Sequence, residues 1–172
     1  MKPQVGILMG SDSDLEIMAE AAKILDELGV GNEVLILSTH RAPDQTAQYA
    51  QSAKARGIKV IIAGAGGAAA LPGSIASLTT LPVIGVPIKS KTLEGIDSLL
   101  SIAQMPPGVP VATVGINGAK NAGILAAQII GIQENNVSAK IVNYKDKLKK
   151  EVLAKNDKVK KIGWSKYLKE KK

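Results

Sequence analysis

The chain of 172 residues contains no cysteine. Disulfides and thiolate chemistry are excluded, and the composition is compatible with a reducing compartment. Phenylalanine is also absent, and aromatics are reduced to one tryptophan and three tyrosines. A site that stacks a flavin ring or nucleobases on aromatic side chains has little to draw on. Histidine occurs once. No apolar run approaches the roughly 20 residues that span a bilayer. The opening "MKPQVGILMGSDSD" lacks a basic n-region and a small-residue cleavage site, so it does not read as a secretory signal, and a cytoplasmic address is expected. What remains is 45% apolar and 22% charged, the balance of a soluble domain with a full-sized core.

The net charge of +7 is unevenly spread. Residues 1–136 hold nine Lys/Arg against eleven Asp/Glu, a balance of −2, whereas residues 137–172 hold thirteen lysines against four acids, a balance of +9. This divides the chain into a domain over 1–136 and a basic C-terminal helix and tail over 137–172. Such a tail suits either a solvated helix with a loose lysine-rich end or an electrostatic contact with a polyanion. With few aromatics to stack on bases, neither nucleic acid nor membrane is expected as a partner. Apolar residues at Ile141, Tyr144, Leu148 and Val152 follow helical spacing, so the tail helix carries a stripe that needs covering by its own subunit or a neighbour.

Short, β-branched apolar runs recur at 4–9, 33–38, 59–64, 81–86 and 109–114, and most read as strands buried on both faces. Helical segments separate them. In "DSDLEIMAEAAKILDELG", Leu15, Met18, Ala22 and Leu25 form one stripe, Asp12 or Ser13 can cap the start, and Gly29 can end it. "APDQTAQYAQSAKARG" begins with proline and ends with glycine, and "SLLSIAQM" and "AKNAGILAAQIIG" supply two further helices. Strand–helix alternation with short links predicts a parallel sheet with right-handed crossovers. The expected architecture is a three-layer α/β/α, flavodoxin-like domain of about five strands plus a C-terminal helix.

Ligands of open parallel sheets bind at the C-terminal ends of the strands, and four unusual segments fall there. "GSDSD" (10–14) offers a tight turn, hydroxyls and a helix start, which suits either an anion or an ordinary N-cap. "STHRAPD" (38–44) holds His40 beside Arg41. Histidine exchanges protons near neutral pH, and arginine next to a serine and a helix start makes a phosphate clamp. A lone histidine is otherwise structural or simply exposed. "AGAGGAAALPG" (63–73) carries Gly64, Gly66 and Gly67, which permit either close backbone approach to a ligand or tight helix–sheet packing. It is not a phosphate-binding P-loop, because Gly-Lys-Ser/Thr is missing. "VPIKSKTLEGIDSLLSIAQMPPGVP" (86–110) ends in a Gln-Met-Pro-Pro-Gly turn.

Taken in order, "GSDSD", "STHRAPD", "GAGGAAALPG", "GVPIKSKTLEGIDSLLSIAQMPPGVPVATVGI" and "NAGILAAQI" strongly resemble the class I N5-carboxyaminoimidazole ribonucleotide mutases of purine biosynthesis, over residues 5–130. The resemblance implies an isomerase that moves a carboxylate from the exocyclic nitrogen to ring carbon C4, by decarboxylation and recarboxylation, without metal, biotin, ATP or other cofactor. It implies a homo-octamer with active sites between subunits. By position, Ser11 and Asp14 resemble substrate contacts, with Asp14 on the ribose hydroxyls. Ser38 and Arg41 resemble phosphate contacts, His40 the general acid–base, and the Gly64–Gly67 backbone a floor for carboxylate or CO2.

One position departs from the pattern. The resemblance implies histidine at position 70, where this chain carries Ala70. The intact match on both sides favours a deliberate substitution over natural variation, and implies weakened turnover with binding retained. Two other functions compete. One is the class II carboxylase, which uses free CO2 and usually has lysine where this chain has Arg41. The other is a non-catalytic nucleotide-binding module of the same fold.

Overall fold

The computed structural model describes residues 1–171. Five parallel strands form one sheet: β1 (Val5–Met9), β2 (Asn32–Ile36), β3 (Val60–Ala65), β4 (Val83–Pro87) and β5 (Ala112–Thr113), in the order β2-β1-β3-β4-β5. This is the flavodoxin-like order. The helices are α1 (Leu15–Leu28), α2 (Pro43–Arg56), α3 (Leu71–Leu78), α4 (Ile96–Ala103), α5 (Ala119–Gly131), α6 (Asn135–Ile162) and α7 (Trp164–Glu170).

Strands β1, β3 and β4 are buried throughout, as their unbroken apolar runs require. Alternation along β1 sends Val5, Ile7 and Met9 into a core shared with α1 and α5, and Leu8 into a second core with Tyr49 of α2, Ile75 of α3 and Ile102 of α4. Helices α1 and α5 cross so closely that a Cβ on Gly123 would lie 2.9 Å from the Ala21 carbonyl oxygen and 2.5 Å from Ile24 Cγ2. The backbone atom cannot yield. Gly123→Ala is therefore expected to destabilise the fold by about 1–3 kcal/mol, read as a lower urea midpoint at unchanged slope.

Several expectations need correction. β5 covers two residues of the expected 109–114, because Pro110 donates no ladder hydrogen bond and the strand lies at the sheet edge. β2 is the opposite edge, so Val34 and Ile36 are exposed rather than buried on both faces. The cap expected from Asp12 or Ser13 comes from Ser11, whose Oγ accepts from Ser13 N at 3.3 Å, because a 3-10 turn over Asp12–Asp14 precedes α1. Gly29 does end α1, with φ +70°. The lysine-rich end is not loose: α6 runs to Ile162, Gly163 turns the chain with φ +79°, and α7 folds back, with Lys158 Nζ 2.8 Å from Glu170 Oε2. The start of α6 packs on α5 through the buried Val137 and Ile141.

On the far face of the sheet, Glu33 of β2 accepts from Tyr49 Oη (2.8 Å) and pairs with Arg56 (2.6 Å). Burial works to raise the Glu33 carboxyl, but the hydrogen bonds from Arg56 and Tyr49 outweigh it and hold the group below the usual range. The ion pair is partly exposed and contributes at most about 1 kcal/mol.

Candidate active site

The strand order reverses between β1 and β3, so the loops that leave these strands, together with the loop after β2, surround the crevice. A cleft of about 580 Å³ opens there, and three loops build it. Gly10, Ser11, Ser13 and Asp14 come from the loop after β1, Ser38 to Arg41 from the loop after β2, and Ala65, Gly66 and Ala68 to Leu71 from the loop after β3.

The polar groups line two of the three walls. Arg41 is strung across them: its Nη2 donates to the Gly10 carbonyl (2.5 Å), and its Nε and backbone N–H approach Ser38 Oγ at 3.4 and 3.3 Å. The guanidinium is thus held at the cleft, with donors left over for an anion. His40 is exposed at the mouth, and among the described residues no side chain hydrogen-bonds its ring. Asp14 is half-buried and accepts from Ser13 Oγ at 3.1 Å. Burial raises its carboxyl above the usual value, the Ser13 bond opposes this, and Asp12 adds to the rise.

A raised carboxyl binds its proton more tightly folded than unfolded. That stabilisation is complete below the unfolded value of 3.8 and is lost as pH rises through the folded value, above which the carboxylate works against the fold. Asp14→Asn is therefore expected to raise the melting temperature slightly at pH 7, with the gain vanishing near pH 3. Thermal melts at the two pH values check it.

The third wall is apolar and strained. Gly67 (φ +62°) and Ala69 (φ +37°) both lie in the left-handed region, which an alanine adopts at a cost of roughly 1–2 kcal/mol. The strain turns the chain sharply from β3 into α3. Ala70 caps α3 without a side-chain hydrogen bond and faces the cleft, and no side chain of this wall can carry a proton.

Of the residues singled out from the sequence, Ser11, Asp14, Ser38, His40, Arg41, Gly66 and Ala70 converge on this cleft. Gly64 and Gly67 do not line it. Gly64 sits within the sheet between Met9 and Val86, and an added Cβ would meet Met18 Sδ at 2.3 Å, so packing fixes the glycine there. Gly67 serves the turn. Ser13, whose hydroxyl the sequence also offered, lines the cleft as well, whereas Thr39 and the Gly10 carbonyl escaped the sequence reading, although their place at strand ends was the available signal. Among the described residues, no group of His, Asp and Glu is arranged to hold a metal ion.

The sheet order and the cleft over its reversal define a flavodoxin-like, ligand-binding α/β protein. Comparison with known proteins sharpens this. A family model described as AIR carboxylase matches residues 4–151. An N5-carboxyaminoimidazole ribonucleotide mutase of Thermotoga maritima is 59% identical over 169 residues, covering 98% of this chain and 99% of that protein. The mutase of Pyrococcus horikoshii is also 59% identical, covering 98% and 96%. A phosphoribosylaminoimidazole carboxylase of Schizosaccharomyces pombe is 56% identical over 96% of this chain but only 30% of its own length. A crystal structure of Treponema denticola PurE superposes with a TM-score of 0.84 at 27% identity, covering 92% of this chain and 99% of that one. This chain belongs to the AIR carboxylase family. The relatives that it matches over nearly their whole length are N5-carboxyaminoimidazole ribonucleotide mutases, and it is an enzyme of that kind, an isomerase.

Proposed function

We propose that the protein interconverts N5-carboxyaminoimidazole ribonucleotide and 4-carboxy-5-aminoimidazole ribonucleotide in de novo purine synthesis. The observation that carries this reading is the convergence of the only histidine with Arg41 and Asp14 on one cleft at the sheet's reversal point. Arg41 and Ser38 hold the phosphate, and Asp14 and Ser11 accept and donate to the ribose hydroxyls. This leaves the base ring against the apolar wall of Gly66 and Ala68–Leu71.

The chemistry then needs one proton-transfer group. Imidazolium at His40 donates its proton to the carbamate nitrogen, the N–C bond breaks with its electrons going to nitrogen, and CO2 is released. Ring carbon C4, made electron-rich by the free amine, attacks that CO2. Neutral His40 then removes the C4 proton and restores the aromatic ring, so the proton count balances over the cycle. The apolar third wall suits retention of CO2, a small uncharged intermediate that water would carry off. No step calls for a metal or cofactor. The active assembly is a cytoplasmic homo-octamer, in which neighbouring subunits close a cleft that is open in the single chain.

The test offers each ribonucleotide separately, with and without added bicarbonate. Conversion of the N5-carboxylated compound independently of bicarbonate is expected. Turnover of only the unsubstituted ribonucleotide, and only with CO2, would overturn the mutase reading in favour of a carboxylase.

A further inference from the structure

At the end of β4 the chain is held at each backbone polar group from the Pro87 carbonyl to the Lys89 N–H. The groups that hold it come from three other parts of the fold. Pro87 O accepts from Asn117 N (2.8 Å), and Ile88 N donates to Ala65 O of β3 (2.9 Å). Ile88 O accepts from Ser98 Oγ of α4 (2.9 Å), and Lys89 N donates to Asn117 Oδ1 (2.9 Å).

Neither side chain is there by default. Thr46 and Ser98 are the buried polar side chains among the described residues. Thr46 Oγ1 bonds the Ala42 carbonyl one helical turn back, whereas Ser98 leaves its own helix and reaches ten residues back to Ile88. Alanine is the better residue for a buried helical position, so the hydroxyl serves the Ile88 carbonyl, which would otherwise be buried without a donor. Asn117 lies in the turn before α5 with φ +57°, a conformation that asparagine tolerates better than most residues. From that turn its backbone and its side chain both reach the end of β4.

The segment they hold stands behind the cleft. Ala65 and Pro87 are the last register pair of β3 and β4, so the Ile88–Ala65 bond carries the ladder one residue further, to the edge of Gly66. An added Cβ on Gly66 would meet Ile88 O at 3.6 Å and Ile88 Cβ at 3.7 Å, which is ordinary contact, so Ile88 backs Gly66 directly. Gly66 O accepts from Ala69 N (3.1 Å) and closes the turn that forms the apolar wall. Ile88, Ser98 and Asn117 do not themselves line the cleft.

We infer that Ser98 and Asn117 are positioning residues for the reaction: by fixing Ile88 behind Gly66 they hold the apolar wall in place and keep released CO2 in the cleft until C4 captures it. The polar loops that carry Arg41, Ser38 and Asp14 form the other two walls, so the clamp bears on the fate of CO2 and not on affinity. The inference rests on the reaction proposed above.

The test compares the full chain with three variants. Ser98→Ala removes the donor from a buried carbonyl, Asn117→Gly keeps the left-handed turn without its acceptor, and Asn117→Asp keeps both. Asn117 is exposed, so its variants retain the fold even where Ser98→Ala is destabilised. The first readout is hydrogen–deuterium exchange by mass spectrometry. Amides of residues 65–71 are expected to exchange about three- to tenfold faster in Ser98→Ala and Asn117→Gly, the size of one net hydrogen bond, with α1 and α2 unchanged. In Asn117→Gly, faster exchange throughout the chain, or none beyond residues 87–89, would overturn the clamp.

The second readout supplies ribonucleotide labelled with carbon-13 in its N5 carboxylate, in unlabelled bicarbonate. Ser98→Ala and Asn117→Gly are expected to lose roughly twice the parent's share of label or more, with KM little changed, while Asn117→Asp matches the parent. Equal retention in all four proteins, or a raised KM with retention unchanged, would overturn the inference. A parent that converts neither ribonucleotide would defeat the functional reading, and the exchange measurement would still decide whether the clamp holds the wall.

Discussion

Replacing His40 with asparagine is expected to lower kcat by about 10³-fold or more while leaving substrate binding within a few-fold. General acid–base catalysis by a positioned side chain is worth roughly 10²–10⁴ in rate, and this cleft offers no second histidine to share the task. Asparagine keeps the size and hydrogen-bonding capacity of the ring edge, so what it removes is the proton. The phosphate and ribose contacts assigned to Arg41, Ser38 and Asp14 do not pass through His40, which is why affinity should persist. Steady-state kinetics combined with calorimetric titration of the ribonucleotide separates the two effects. A variant that bound poorly but turned over normally at saturation would reassign His40 to binding.

The second large effect is a gain. Ala70→His places an imidazole on the one wall of the cleft that has no titratable side chain, opposite the polar loops. Two groups can then divide the protonation of nitrogen and the deprotonation of carbon, and an increase in kcat of about 10²-fold is expected, with KM little changed. The cleft has room for the ring, and Ala70 makes no cap bond that the change would break. Parallel kinetics on both proteins decide it. Equal turnover would mean that position 70 has no part in proton transfer and that His40 alone sets the rate.

The physical reasons for what was legible in the sequence are specific. Strands β1, β3 and β4 are buried on both faces, so their continuous apolar runs announce them. The edges are harder. β2 shares the apolar run Val34–Ile36 but carries Asn32 and Glu33 and has no neighbour on one side, and β5 is cut to two residues beside Pro110. Exposure at an edge is decided by sheet order, which composition does not carry. The residues that line the cleft were legible because such clefts lie where loops leave the strands, and the runs that mark β1 and β2 place Ser11, Asp14, Ser38, His40 and Arg41 directly after them. Glycine was the ambiguous signal. Gly64, Gly66 and Gly67 look alike in "GAGG", yet one packs against Met18, one lines the cleft and one turns the chain. Only the end of the β3 ladder separates them. The helical spacing in the tail gave α6 its stripe, but the fold-back of α7 depends on Gly163 and the Lys158–Glu170 pair, whose meeting cannot be read from spacing.

The central claim is that one carboxylate is moved within a closed cleft, not lost to solvent and replaced. It is tested most directly by supplying ribonucleotide labelled with carbon-13 in its N5 carboxylate, in unlabelled bicarbonate, and following the C4 carboxylate by NMR. Retention of the label in the product is the predicted result, and its dilution to the level of the bicarbonate pool would contradict the account.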